Sequence, residues 1–173
     1  LSTVEDVKVM TYIAQNTEYV PRFDLFEERS RCIGEDGIAT PTAPCSPIME
    51  TLQVLCGLEN TTYLLMDEEE SMLEMFDALH RRNREYYRMV ARLNSPVVFA
   101  YEDTSTTIMS REWFSKFAAP ALDDYADILH NADRLYITHM CGKLSGFQHE
   151  IADLKSDGID SVCPPTTGDI ECW

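Results

Sequence analysis

Short β-rich runs alternate with amphipathic helical segments along most of this 173-residue chain. Residues 97–101 are a near-continuous apolar run, and residues 135–138 and 159–162 form shorter runs of the same kind. Near-continuous apolar runs are typical of strands in parallel sheets, and helical segments of about ten or more residues separate these three. Because such strands pair through right-handed crossovers, we predict an α/β fold with alternating helices in which the three strands are adjacent and parallel.

The helical segments are predicted from apolar residues at helical spacing and from capping signals. The longest helix is expected to begin at Asp67, which would form a capping box with Glu70. A proline, Pro120, is expected to bend the helix that contains it. Residues 37–48 are expected to be a strand that runs into a proline-broken loop. Further helices are predicted at residues 4–17, 23–33, 49–56, 111–131 and 144–155.

The composition excludes several classes of protein. A net charge of −16 and a pI near 4.4 argue against a nucleic-acid partner, because phosphate contacts need clustered Lys and Arg. No stretch approaches the roughly 18 uninterrupted apolar residues of a spanning helix, so no membrane partner is expected. Six cysteines are too sparse for a disulfide scaffold, and no signal-peptide pattern opens the chain. We therefore expect a cytoplasmic protein with reduced thiols.

Polar side chains follow the predicted strands at their C-terminal ends, where parallel α/β folds collect their chemistry. His139 and Cys141 are two residues apart, so a strand would place both on one face. Glu102 ends the preceding strand, about 5 Å away laterally, and we expect it to converge with the other two side chains. An imidazole beside a thiol is suited to binding a metal ion, although ordinary core packing would explain the pair as well.

The segments "YEDTSTTIMSREWFSKFAAPALDDYADIL" and "YITHMCGKLSGFQHEIADLKSDGIDSV" resemble the uroporphyrinogen decarboxylase superfamily over residues 6–160. Two features that carry the resemblance are an acidic strand end, Glu102 with Asp103, and a helix start, Ser110 with Phe114. The other two are a Phe–Pro step, Phe117 with Pro120, and a Gly-x-Asp strand, Gly158 with Asp160. The resemblance implies a (β/α)8 TIM barrel, which needs about 250 residues. We therefore expect residues 1–173 to be a single partial TIM-barrel domain from the middle of a longer enzyme.

The His-x-Cys-Gly motif at residues 139–142 is similar to that of zinc-dependent corrinoid methyltransferases within this superfamily, such as the methylcobamide:coenzyme M methyltransferases. The similarity implies that His139 and Cys141 are zinc ligands and that Glu102 is an acidic, catalytic residue near the metal. It also implies a third cysteine ligand on a later strand, beyond this chain. The implied cofactors are zinc and a corrinoid, with methylcobamide as co-substrate.

The resemblance implies methyl transfer from a methylated corrinoid to a coenzyme M-like thiol that zinc activates as a thiolate. Three alternatives stay open: a corrinoid-dependent O-demethylase component, a metal-free uroporphyrinogen decarboxylase-like enzyme, and a non-catalytic fragment that keeps the fold. Expected partners are a corrinoid protein or free methylcobamide, together with a small thiol or methoxy substrate. Because an incomplete barrel leaves strand edges and apolar faces open, we also expect the chain to form oligomers.

Overall fold

A computed structural model of the chain describes residues 1–171, which contain a four-stranded, entirely parallel sheet. The strands lie side by side in chain order, so the prediction of adjacent parallel strands is confirmed. Their bounds are β1 Thr42–Ala43, β2 Val97–Tyr101, β3 Leu135–His139 and β4 Gly158–Asp160. The register pairs Tyr101 with His139 and His139 with Asp160. The last residues of three strands therefore lie next to one another at one edge of the sheet.

Helices connect the strands, as expected for an α/β fold. They are α1 Val4–Gln15, α2 Phe23–Ile33, α3 Pro47–Glu50, α4 Gly57–Asp67, α5 Glu69–Val90, α6 Arg111–Trp113, α7 Ala119–His130 and α8 Gln148–Ala152. Short 3-10 segments occur at Gly34–Asp36 and Ser145–Phe147, and π-helical segments at Thr51–Leu55 and Phe114–Ala118. Within residues 1–171 no helix is both long enough and apolar enough to span a bilayer.

Several helix boundaries differ from the sequence-based expectation. The predicted capping box at Asp67 is wrong, because Asp67 is the last residue of α4 and α5 begins at Glu69 without a side-chain cap. Helix α4 was not predicted; it begins directly after the predicted helix 49–56, at Gly57, which has a φ of 75°. Pro120 is the second residue of α7, and the π-helical segment Phe114–Ala118 directly precedes that helix, so the proline lies where the regular α-helical hydrogen-bond pattern is interrupted.

The helices cover one face of the sheet, and the core lies between the two layers. Side chains that point toward the helices, such as Val98, Ala100 and Tyr136, are fully buried. Side chains on the opposite face are more exposed: Tyr101 is 52% exposed and Leu135 51%. A parallel sheet covered by helices on a single face is the arrangement of one part of a TIM barrel, whose strands turn their other face toward the barrel interior.

Candidate metal centre

Three side chains converge where β2 and β3 end on the open face of the sheet. Donor atoms of Asp103, His139 and Cys141 all lie within 4.8 Å of one another. The Oδ1 atom of Asp103 is 3.6 Å from Nε2 of His139 and 3.5 Å from Sγ of Cys141. The structure therefore brings His139 and Cys141 together, as the period of a strand predicts.

The expectation that Glu102 joins this cluster is wrong. The Glu102 side chain is fully buried; its Oε2 accepts a hydrogen bond from the Ser46 amide at 2.7 Å and its Oε1 one from the Ser46 hydroxyl at 2.6 Å. The register explains the error, since Tyr101 is the partner of His139 and paired residues point to the same face. Glu102, one residue further along, points to the helix side.

Asp103 occupies the position expected for Glu102. Directly after β2, the amides of Glu102 and Asp103 both donate to the His139 carbonyl of the neighbouring strand, at 3.1 and 2.8 Å. Asp103 has a φ of 46°, a left-handed conformation that Asp and Asn adopt more readily than most residues. Gln53 donates to the second carboxylate oxygen of Asp103 at 3.1 Å. Period-two alternation, applied with Tyr101 opposite His139, is the signal that would have identified Asp103.

Gly142 allows a close approach between the two loops that carry Asp103 and Cys141. A Cβ atom on Gly142 would lie 2.3 Å from the Cβ of Ser105, so only glycine permits this approach. The close contact lets the Lys143 amide donate to the Ser105 hydroxyl at 3.1 Å. The glycine that follows Cys141 in the sequence therefore allows the loops that carry Asp103 and Cys141 to lie this close together.

A second carboxylate contacts the other ring nitrogen of the histidine. Oδ2 of Asp160 is 2.7 Å from Nδ1 of His139, and Ser161 donates to the same oxygen at 3.0 Å. The hydrogen bond from His139, and a weaker one from Ser161, lower the pKa of Asp160. His139 thus lies between two carboxylates, one near each ring nitrogen.

The electrostatics of the cluster favour a cation. Burial, with the neighbouring Asp103 carboxylate, raises the pKa of the Cys141 thiol, which makes it a poor nucleophile on its own because the thiolate is the reactive form. Among residues 1–171 no lysine or arginine forms an ion pair with Asp103, His139 or Asp160. A bound divalent ion would instead lower the pKa of the Cys141 thiol, since metal coordination deprotonates a thiol outright.

The donor set fits zinc. Imidazole nitrogen, thiolate sulfur and carboxylate oxygen are the ligands that zinc takes, and a catalytic site has three of them with one position left open. Cys163 is close by but does not belong to the convergent set; its Sγ is 3.0 Å from the Ser161 carbonyl. Cys172 lies outside the described residues, and the other five cysteines are free.

Comparisons with known proteins agree with this architecture. The family model described as uroporphyrinogen decarboxylase (URO-D) matches residues 42–167, whereas no curated protein sequence matches the chain. A solved structure, a methyltransferase from Methanosarcina mazei, superposes with a TM-score of 0.60 and 15% identity. The superposition covers 78% of this chain and 40% of that one, so the chain spans less than half of that enzyme's length. This likeness shows a shared fold, and the URO-D match, which covers most of the chain, shows that the chain belongs to the uroporphyrinogen decarboxylase family.

Proposed function

We propose that this chain carries the zinc-binding residues of a methyltransferase that moves a methyl group from a methylated corrinoid to a small thiol. The observation that supports the proposal is the convergence of Asp103, His139 and Cys141 at the C-terminal edge of a parallel sheet. Membership of the URO-D family supports an enzyme with its active site at this edge. The name of the structural relative, a methyltransferase, is consistent with methyl transfer.

Each residue has a defined part in this proposal. Nε2 of His139, Sγ of Cys141 and the Asp103 carboxylate would hold zinc. Zinc bound here would supply a cation that lowers the pKa of a substrate thiol, so that the substrate reacts as a thiolate. The ring centroids of Tyr101 and Phe99 lie 5.3 and 6.1 Å from that of His139, so aromatic side chains flank the site on the open face of the sheet.

The transfer itself is a displacement at carbon. The acceptor thiolate would form the new sulfur–carbon bond, and the methylated corrinoid would supply the methyl group and leave with the electron pair of the bond that is broken. The thiol proton is released to solvent when the thiolate forms. The corrinoid carries the difficult chemistry, and the protein contributes orientation and electrostatics.

The site argues against a metal-free decarboxylase that would use these same residues. A tetrapyrrole substrate carries carboxylates, which basic side chains would have to hold. At this edge of the sheet the described residues instead present Asp103 and Asp160, and these would repel an anionic substrate.

The zinc content per chain, measured by elemental analysis after gel filtration, tests the proposal. We expect the wild-type chain to retain zinc and Cys141→Ala to lose it, because removal of the thiolate leaves two ligands. Asp103→Asn should weaken retention without disturbing the backbone, since asparagine tolerates the φ of 46°. Cys32→Ala is the matched control, because Cys32 is a free, exposed cysteine on α2.

Circular dichroism should show the same fold in all of these variants. Failure of the wild-type chain to retain zinc, or equal retention by Cys141→Ala and Cys32→Ala, would contradict the proposal.

A further inference from the structure

The two carboxylates beside His139 are not equivalent. Asp103 is 3.6 Å from Nε2 and lies beside the Cys141 thiol. Asp160 is 2.7 Å from Nδ1, within hydrogen-bond distance, on the side of the ring away from the thiol. Asp103 therefore belongs to the set of converging donors, and Asp160 contacts the other ring nitrogen of His139.

The Asp160 contact determines which ring nitrogen carries the hydrogen. An ionised carboxylate can only accept hydrogen bonds, so at 2.7 Å the Nδ1 atom of His139 must be the donor. In a neutral imidazole the other nitrogen, Nε2, then has a free lone pair. That lone pair is directed toward Asp103 and Cys141, where a metal ion would be bound.

The sheet holds Asp160 in this position. His139 and Asp160 are partners in the parallel register, so their side chains leave neighbouring strands on the same face. The amide of Met140 donates to the Asp160 carbonyl at 3.1 Å, and the Ser161 hydroxyl donates to its carboxylate at 3.0 Å. The orientation of the carboxylate thus depends on strand pairing and not on a flexible loop.

We propose that Asp160 is a positioning residue, which keeps His139 in the Nδ1–H tautomer and presents Nε2 to the metal. The metal part of this inference rests on the proposed function. Metal-bound histidines commonly donate their other N–H to a carboxylate, and loss of that partner typically weakens metal affinity about 10- to 100-fold.

The chain contains a matched control for the alternative that Asp160 forms an ordinary surface ion pair. His130 and Asp157 make the same kind of contact, with Nε2 2.8 Å from Oδ2, near the N-terminal ends of β3 and β4. No thiol or second carboxylate forms a donor cluster there in the described part of the chain. Removal of Asp157 deletes a similar pair at the opposite end of β3, but it also removes the hydrogen bond that the Asp157 carboxylate accepts from the Tyr136 amide at 2.7 Å. Circular dichroism of Asp157→Ala must therefore show an intact fold before its zinc affinity serves as the control.

Two measurements on Asp160→Ala, Asp160→Asn and Asp157→Ala test the inference. Nitrogen NMR shifts of His139 in the metal-free protein, in alkaline buffer, report the tautomer. We expect Nδ1–H in the wild type, conversion toward Nε2–H in Asp160→Ala, and retention in Asp160→Asn, whose amide oxygen still accepts. Zinc titration should give about 10- to 100-fold weaker binding for Asp160→Ala, partial rescue in Asp160→Asn and no change in Asp157→Ala.

A His139 ring that keeps Nδ1–H in Asp160→Ala would overturn the inference, and so would a loss of zinc affinity equal to that of Asp157→Ala. A wild-type chain that binds no zinc would overturn the proposed function alone. In that case the tautomer measurement would still decide the role of Asp160, because it needs no metal.

Discussion

At the scale of the residue, two neighbouring carboxylates have opposite environments. Glu102 is fully buried against Ser46, whereas Asp103 is partly exposed beside His139. The difference arises because successive residues of a strand point to opposite faces. A carboxyl group on the helix side is buried in the apolar core, whereas one on the open side is accessible to a ligand.

The buried position of Glu102 predicts a pH dependence of stability. Burial raises the pKa of Glu102 to about 8, although both hydrogen bonds from Ser46 oppose the shift. The unfolded chain releases this proton near the ordinary value of 4.5, so the folded state binds more protons between the two values. The stability that protonated Glu102 contributes is therefore fully present below pH 4.5 and is lost as pH rises through about 8. Between these values the free energy of unfolding falls by up to about 1.4 kcal/mol per pH unit.

Urea unfolding of the wild type and of Glu102→Gln, between about pH 5 and pH 9, measures this effect. The stability of the wild type relative to Glu102→Gln should fall as pH rises to about 8 and level off above it. Burial lowers the pKa of His80 below 6.5, but His80 is present in both proteins and cancels in this comparison. Asp157 and Asp160, whose pKa values are lowered, affect stability only at more acidic pH. Identical slopes for the two proteins would contradict the prediction.

At the scale of the element, helix α5 stabilises β1, the strand at one side of the sheet. Strand β1 has only two residues, so its ladder is short. Side chains of α5 bind the carbonyls of this strand and of the loop after it: Tyr86 binds Thr42 at 3.1 Å, Tyr87 binds Pro44 at 2.7 Å, and Asn83 binds Cys45 at 3.1 Å. Besides packing in the core, helix α5 therefore forms a polar clamp on β1, made of these three hydrogen bonds.

The clamp predicts unequal effects of two tyrosine substitutions. The Tyr87 hydroxyl donates to the Pro44 carbonyl and lies 3.0 Å from the Tyr136 hydroxyl. Tyr87→Phe leaves a partly buried carbonyl and a buried hydroxyl without these partners and should cost about 1–3 kcal/mol. Tyr136→Phe keeps the bond to Pro44 and should cost about 0.5–1.5 kcal/mol. Thermal unfolding of both variants checks the order, and a larger loss for Tyr136→Phe would refute the clamp.

At the scale of the whole molecule, the sheet is covered by helices on one face and open on the other. Tyr101 and Leu135 on the open face are each about half exposed, and β1 and β4 are edge strands. Open apolar faces and unpaired edges favour association. The same surface would form the interior of a complete barrel.

We therefore expect the isolated chain to associate, with light scattering reporting species larger than a monomer. Leu135→Lys should reduce this association, because it places a charge on the open face at the start of β3, away from the cluster around His139. A stable monomer at all concentrations would contradict the prediction.

The sequence by itself determined the parallel α/β architecture. The apolar runs and the helices between them predict it, because these patterns are local and each run must be buried. The proximity of His139 and Cys141 follows from the same local rule, since His139 ends β3 and Cys141 is two residues further along the chain.

Only the tertiary structure decided which carboxylate lies beside His139 and Cys141. The choice of Asp103 over Glu102 depends on how β2 and β3 align, and the contact between His139 and Asp160 depends on the register of β3 with β4. Register is set by contacts between strands that are distant in the chain, and a slip of one residue exchanges the two faces of a strand. For this reason the composition of the candidate metal centre could not be read from any single segment of the sequence.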